Sequence, residues 1–247
     1  SRWKSMPSPG QLSVEINTLG AFGGYLDDYQ TLAGLGARTT ADGAVAGVHG
    51  RARYWGIGLR AMVAYDGAHA DTRRVLPGGS AEGRYDLTSW IADASMDAAV
   101  PLAGGWSMRP SVGGTAIRTT RDSVTETGGN AFALTVAGRR TTATFVDGGI
   151  TFARDVAPGG IAGVHPFLTI GVRYQAQGRT PYAVAGLGGG QLSLLAAGAP
   201  RAPVLATATL GADVALSPAL ALFGALSGES GDADHRAAAH GGLRLAF

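Results

Sequence analysis

The chain has 247 residues, a net charge of +2 and no cysteine, which excludes disulfide bonds and thiolate metal sites. Charged residues make up only 15% of it, against roughly 25% in a soluble domain, and its 40 glycines are about twice the usual share. Lysine and arginine form no long run, which argues against a nucleic-acid-binding patch. This composition is typical of a membrane β-barrel, whose strands need apolar residues on one face only.

The first residues, SRWKSMPSPG, contain prolines and lack the apolar core of a signal peptide. We predict a leader or linker over residues 1–11 and a single barrel domain over residues 12–247. The most apolar stretch, residues 204–228, contains Asp213 and Pro218 and is therefore a poor membrane helix. Its alternation of apolar and polar residues predicts a β-hairpin instead.

The same two-residue period recurs along the chain. In WGIGLRAMVAYD, the side chains of Trp55, Leu59 and Tyr65 share one face, and Arg60 lies on the other. Together with the turn signals, this pattern predicts about twelve strands, long enough to cross a membrane when tilted. The predicted strands are residues 12–25, 38–53, 54–73, 83–101, 105–122, 131–139, 141–155, 164–177, 182–196, 203–217, 219–229 and 236–247.

An open sheet edge is not tolerated in hydrocarbon, because each unpaired backbone group costs several kcal/mol. The predicted fold class is therefore all-β: a transmembrane antiparallel up-and-down β-barrel whose first strand pairs with its last. A soluble β-sandwich would also alternate. It is disfavoured because its outward polar face would carry more lysine and glutamate, and Lys4 is the only lysine.

Charged residues on the polar faces are predicted to line the lumen. They could form a hydrated lining that lets a polypeptide pass or holds a linker helix, or they could pair across the lumen and stiffen the barrel; the two interpretations are compatible. The predicted lining residues are Glu15, Arg51, Arg53, Arg60, Asp93, Asp97, Arg109, Asp147, Arg173 and Asp213. The predicted aromatic girdle, at the membrane–water interfaces, comprises Trp55, Tyr65, Trp90, Trp106, Tyr174 and Tyr182.

Two stretches resemble a known family. The end, HGGLRLAF, has His240, Gly242, Leu245 and Phe247 at the spacing of the C-terminal β-signal by which the outer-membrane assembly machinery recognises its clients. The segment from WSMRPSVGG to TFVDGGITFARD has a strand with a central Pro110, a polar loop with Glu126, a short strand, and then Gly148 and Gly149. This order resembles the C-terminal translocator β-domain of monomeric autotransporters, the type V secretion family.

The resemblance implies a twelve-stranded barrel in the bacterial outer membrane that anchors an N-terminal passenger and helps to export it. The implied partners are outer-membrane lipid and lipopolysaccharide, the barrel-assembly machinery and the chain's own passenger. We expect a monomer with no nucleic-acid partner, no cofactor, no metal and no catalytic residue. A passive porin, a barrel enzyme, and self-cleavage of the linker by lumenal acids remain open alternatives.

Overall fold

A computed structural model describes residues 15–32, 36–128, 130–154, 163–188, 194–198, 200–217, 220–232 and 234–245. The predicted leader at residues 1–11 lies outside the described residues, as does Phe247. The described part is almost entirely β-strand. None of its helices is long and apolar enough to cross a membrane.

Fifteen strands and two short 3-10 turns are described, the turns at Ala103–Gly105 and Asn130–Phe132. The strands are β1 (Glu15–Leu32), β2 (Ala37–Tyr54), β3 (Ile57–Leu76), β4 (Gly79–Ala98), β5 (Val100–Pro101), β6 (Trp106–Arg121), β7 (Val124–Thr125), β8 (Leu134–Val136), β9 (Arg139–Arg154), β10 (Gly163–Gln177), β11 (Tyr182–Leu187), β12 (Leu194–Ala197), β13 (Val204–Ser217), β14 (Leu220–Ser230) and β15 (His235–Leu245).

Ten long strands form one antiparallel sheet, the wall, in the order β1-β2-β3-β4-β6-β9-β10-β13-β14-β15. The short β5 pairs with β6 at its edge. Along this path each long strand pairs with the next long strand in sequence, which is the up-and-down topology that the sequence predicts. Within the described ranges no ladder joins β1 to β15, so these two strands are the edge strands of the described wall.

The connections between the strands differ at the two ends of the strands. At one end, called the turn end, β2 and β3 are joined by Trp55 and Gly56 alone. Both residues have positive φ, 48° and 80°, as a type I′ hairpin turn requires. At the opposite end, called the loop end, the longer connections β6–β9 and β10–β13 contain a second, four-stranded sheet in the order β12-β11-β8-β7.

Three strands of the second sheet continue wall strands in register. Arg121 on β6 pairs with Arg139 on β9, and three residues further out Val124 pairs with Val136. Likewise, Gln177 pairs with Thr144, and eight residues further out Ala185 pairs with Val136. Strands β7, β8 and β11 are therefore the outer parts of β6, β9 and β10, separated from them by short breaks. Strand β12 precedes β13 in the same way, but its register against β11, with Tyr182 opposite Ala197, differs by one residue from that of β13 against β10, with Tyr174 opposite Val204. We call these four strands, with the loop-end halves of β3 and β4, the rim.

This continuity changes how two predicted strands are placed. Residues 131–139 and 182–196 are not separate wall strands, because the strands described within them, β8, β11 and β12, belong to the rim. Gly138 and Pro181 indicated turns in the sequence, whereas they interrupt the ladders that join β6 to β9 and β9 to β10 without shifting the register of either. The stretch HADTRRVLPGGSAEG is also not a long loop. It continues β3 and β4 as far as a tight turn at Pro77 and Gly78, where Gly78 has φ of 85°.

Candidate functional site

Residues directly opposite each other in an antiparallel ladder share a face of the sheet. By this criterion the register places all ten predicted lining positions on one face, the inner face. Gly58 of β3 is opposite both Arg53 and Asp97, for example, and Arg173 is opposite Asp147. Glu15 is opposite Arg53 in the backbone register, and its side chain lies outside the described part. The positions are Glu15 on β1, Arg51 and Arg53 on β2, Arg60 on β3, Asp93 and Asp97 on β4, Arg109 on β6, Asp147 on β9, Arg173 on β10, and Asp213 on β13.

The inner face curls around a shared space. One cavity of about 360 Å³ is lined from seven strands, β2 to β13, including Arg51, Asp97 and Asp213. A flat sheet could not bring the side chains of β2 and β13 to one cavity. We call the enclosed space the lumen.

Several charges of the inner face pair along the wall. Arg173 Nε donates to Asp147 Oδ1 at 2.6 Å on the neighbouring strand, and its Nη1 donates to Glu229 on β14. Arg60 lies 3.6 Å from Asp97. These pairs join strands that are adjacent or next but one, so they satisfy charge without a bridge across the lumen. Glu229 was not among the predicted residues, although alternation in β14 places it on the inner face.

On one side, the lumen is lined by the backbone of glycine residues. Gly149 and Gly171 are directly opposite each other on β9 and β10. A Cβ atom on Gly171 would lie 2.6 Å from the carbonyl oxygen of Gly148, so no larger residue fits without a shift. Thr169 and Thr207 line the cavity beside this glycine patch. This side of the lumen is therefore smooth, with hydroxyl groups at its margin.

Aromatic rings cover several other inner-face glycines. Phe22 lies over Gly47, Phe167 over Gly211, and Phe223 over Gly242, and the two residues of each pair are directly opposite in the ladder. A Cβ atom on any of these glycines would come within 2.7 Å of the ring. His49 covers Gly20 in the same way. The sequence pattern did not predict these pairs, because it identifies faces but not partners.

The outer face is apolar near the turn end. Along β3 it presents Ile57, Leu59, Val63 and Tyr65, all at least 40% exposed. Beyond Tyr65 the same face becomes polar, with cross-strand pairs between β3 and β4. His69 Nδ1 lies 2.5 Å from Asp86 Oδ1, and Arg84 Nε lies 2.7 Å from Asp71 Oδ1. The change from apolar to charged side chains occurs at the Tyr65–Trp90 pair, whose ring centroids are 5.1 Å apart.

Five of the six predicted girdle residues fit two aromatic levels on the outer face. Trp55 and Trp106 lie at the turn end, and Tyr65, Trp90 and Tyr174 lie further along their strands. Trp55 and Tyr65 are ten residues apart. At ~3.3 Å per residue and a tilt of ~40°, this separates them by about 25 Å across the membrane, the height of the apolar band of such barrels.

Tyr182 does not fit either level. It lies on β11 in the rim, eight residues beyond Tyr174 and thus about 26 Å further along the strand direction. The guanidinium carbon of Arg139 lies 3.2 Å from the centre of its ring. Tyr182 therefore packs within the rim, above the level of the other aromatic residues.

A buried ion pair fixes the β6–β9 connection to β3. Arg74 Nε and Nη2 donate to the two carboxylate oxygens of Glu126 at 2.8 and 2.5 Å, and the backbone N–H of Leu134 donates to the same carboxylate at 2.8 Å. Burial alone would raise the pKa of Glu126, but the hydrogen bonds from Arg74 and Leu134 outweigh it and lower the pKa from its ordinary value of 4.5. We call Arg74 and Glu126 the rim clamp.

Three residues of the predicted assembly signal, His240, Gly242 and Leu245, lie on β15, the last described strand of the wall. His240 Nε2 is 3.2 Å from Ser227 Oγ on β14, and Gly242 is covered by Phe223. The side chain of Leu245 lies outside the described part, as does the whole of Phe247. In the described ranges no three His, Asp or Glu residues group closely enough to hold a metal ion.

The family model of the autotransporter β-domain matches residues 12–227. No curated protein sequence matches the chain. Among solved structures, the translocator domain of autotransporter NalP from Neisseria meningitidis superposes with a TM-score of 0.75 at 16% identity, over 97% of this chain and 78% of that one. The β-domain of the Bordetella autotransporter BrkA has a TM-score of 0.57 at 17% identity, over 95% of both chains. The transport unit of the autotransporter AIDA-I from Escherichia coli has a TM-score of 0.50 at 13% identity, over 93% of this chain and 82% of that one.

Proposed function

The chain belongs to the autotransporter β-domain family, and we propose that the inner face described above is the lining along which its own passenger segment crosses the outer membrane. The family resides in the bacterial outer membrane and is a transport family, not a catalytic one. This membership decides between the alternatives left by the sequence, in favour of a translocator over a passive porin or a barrel enzyme.

The sorting of side chains between the two faces is the observation that supports the proposed route. Charged, hydroxyl and glycine positions fall on the inner face, and the outer face carries the exposed apolar residues between the two aromatic levels. Because the ion pairs of the described inner face run along the wall and do not cross the lumen, a hydrated passage remains beside them. The glycine patch at Gly149 and Gly171 allows a polypeptide backbone to approach closely.

Two further roles belong to the same proposal. His240, Gly242, Leu245 and Phe247 form the signal read by the barrel-assembly machinery, and the position of the first three on β15, at an edge of the described wall, makes them available when the barrel closes. The charged outer face above Tyr65 and Trp90 contacts lipopolysaccharide head groups. Arginine and aspartate side chains there suit phosphate groups and the divalent cations that bridge them.

Cysteine accessibility tests the proposed lumen, since the chain has no native cysteine. Ser95 on β4 lines the lumen, and its neighbour Ala94 lies on the outer face at the same level. In a barrel reconstituted in lipid, a charged, membrane-impermeant thiol reagent should modify Ser95→Cys rapidly and Ala94→Cys slowly. Modification of Ser95→Cys should also lower the conductance of the barrel in planar bilayers.

The matched pair makes the result decisive. Equal labelling of the two cysteines in lipid would overturn the face assignment, and with it the proposed route. Each variant should first migrate as a heat-modifiable band, meaning that the folded and boiled forms run differently in electrophoresis. A variant that fails this check can be replaced by Thr169→Cys for the inner face or Leu168→Cys for the outer face.

A further inference from the structure

Three arginines converge on one cavity in the turn-end part of the lumen. Arg51 on β2 and Arg60 on β3 are directly opposite each other, and Arg109 projects from β6 into the same cavity. Like charges directly opposite on neighbouring strands destabilise a sheet unless a counter-charge compensates them. The arrangement therefore calls for an anionic partner.

The wall supplies only part of that counter-charge. Arg60 is paired with Asp97, which is buried and 3.6 Å away. Arg51 and Arg109 form no ion pair with any residue in the described part of the chain, and the Nε atom of Arg109 is buried without a hydrogen-bond partner. Asp213 also lines the cavity and already has an interaction of its own. Two guanidinium groups thus remain available to an occupant of the lumen.

The surroundings favour a chain-like occupant over a small ion. Ser111 and Thr169 line this cavity and also the adjoining one, which extends to Asp147 and Gly171. The polar space is thus continuous along the inner face past the glycine patch. A small anion would fill one part of it, whereas an extended or helical polypeptide would contact all of it.

We propose that Arg51, Arg60 and Arg109 form a binding site for acidic side chains of the polypeptide segment that occupies the lumen. This inference rests on the proposed function, which makes the lumen the route of that segment. Guanidinium groups bind carboxylates through two parallel hydrogen bonds, and the cavity hydroxyls can add further donors. The site gives the passage a preference for segments that carry Asp or Glu at this level.

Peptide block of the reconstituted barrel tests the preference. An Asp/Glu-rich peptide should reduce single-channel conductance at a concentration about tenfold lower than the same peptide with Asn/Gln, and added salt should narrow the difference by screening. The double variant Arg51→Gln/Arg109→Gln should abolish the difference. Arg51→Lys should retain part of it, because it keeps the charge and loses the fork geometry.

The matched control is Arg118→Gln, which removes an arginine from the outer face of β6. It should leave the block by the acidic peptide unchanged. Inorganic phosphate at equal charge concentration is the comparison for a small-anion site. If phosphate at equal charge concentration prevents the acidic peptide from blocking conductance, the site binds small anions and the proposal is overturned.

The outcomes distinguish failure of the proposed charge preference from failure of the proposed route through the lumen. If acidic and neutral peptides block the wild-type barrel equally, the charge preference is wrong and the lumenal route stands. If neither peptide blocks a conducting, heat-modifiable barrel, the route itself fails. Fluorescence anisotropy of the labelled peptides with the folded barrel in detergent gives the same comparison without conductance, and equal binding to wild type and double variant there overturns the proposal.

Discussion

The ring of Phe223 on β14 lies directly over Gly242 on β15, so a methyl group at position 242 would come within 2.7 Å of the ring carbons. The pair joins the last two strands of the wall. Gly242 is also one of the residues that match the assembly signal. The neighbouring Gly241 is open by comparison, because the nearest atom to a Cβ there is 3.5 Å away.

We predict that Gly242→Ala lowers the stability of the folded barrel by about 1 kcal/mol, the lower end of the usual cost of overpacking, because the exposed Phe223 ring must leave its position. Gly241→Ala should have little effect, since its methyl group makes ordinary van der Waals contact. Urea unfolding in detergent, followed by the heat-modifiable band, measures both variants. Equal losses in the two would show that the ring does not cover Gly242. Phe223→Leu combined with Gly242→Ala should recover part of the loss.

Breaking the rim clamp should loosen the rim and leave the wall intact. Glu126→Gln removes the charge that holds Arg74, which is only partly buried, and we expect a cost of about 1–3 kcal/mol. We expect faster protease cleavage between residues 122 and 138, with an unchanged heat-modifiable band. Arg73→Gln is the matched control, because Arg73 is exposed and lies 3.6 Å from Glu82. If the two variants are cleaved at the same rate, the clamp has no structural role.

The pH dependence of the rim clamp has a definite sign. Because the pKa of Glu126 is lowered from its ordinary value of 4.5, its ionised form is favoured by folding. The stabilisation is therefore fully present above that ordinary value and is lost as the pH falls through the lowered pKa. Hydrogen-exchange protection of the Leu134 amide should stay constant from neutral pH to about pH 5 and decrease only in stronger acid. A loss of protection above pH 5 would contradict this assignment.

The stabilisation from the His69–Asp86 pair should have the opposite pH dependence. The hydrogen bond to Asp86 raises the pKa of His69 from the ordinary 6.5, with a further contribution from the charge of Asp86. The pair stabilises the folded state below pH 6.5, and this stabilisation is lost as the pH rises through the raised pKa of His69. Nuclear magnetic resonance titration of the imidazole should detect the raised value, and Asp86→Asn should bring it back towards 6.5. An unchanged midpoint in that variant would exclude Asp86 as the cause.

Depth-dependent quenching can locate the two aromatic levels. In single-tryptophan versions of the barrel, Trp55 and Trp90 should each be quenched best by lipids brominated near the head group. A tryptophan placed between them on the same face, Leu59→Trp, should be quenched best by lipids brominated deep in the acyl chain. Trp55 or Trp90 behaving like Leu59→Trp would show that the apolar band is not bounded by these residues.

The sequence predicts which face a side chain occupies more reliably than which partner it meets. A period of two, read along β3 and β4, is enough to place Arg60 and Asp97 together, because antiparallel neighbours keep their faces aligned. The partner of Arg173 depends on the stagger between strands. Glu229, which lies two strands away, was therefore missed. The aromatic rings over glycines were missed for the same reason.

Strand boundaries at the loop end were the other difficulty. Gly138 and Pro181 have the residue types of turns, and a local pattern cannot show that the ladder resumes in step beyond them. Tyr182 was consequently grouped with the girdle, although the break at Pro181 carries it into the rim. Glu126 was part of the family resemblance, but its bond to Arg74, 52 residues away in sequence, was not predictable from spacing.

Because β8 and β11 pair in the same register as Thr144 and Gln177 of the wall, the rim can change in evolution independently of the membrane-spanning strands. Residues can be gained or lost where the ladder is already interrupted, and every hydrogen-bonded pair below that level keeps its neighbour. Such a domain can acquire a new exterior profile without rebuilding the part that lies in lipid.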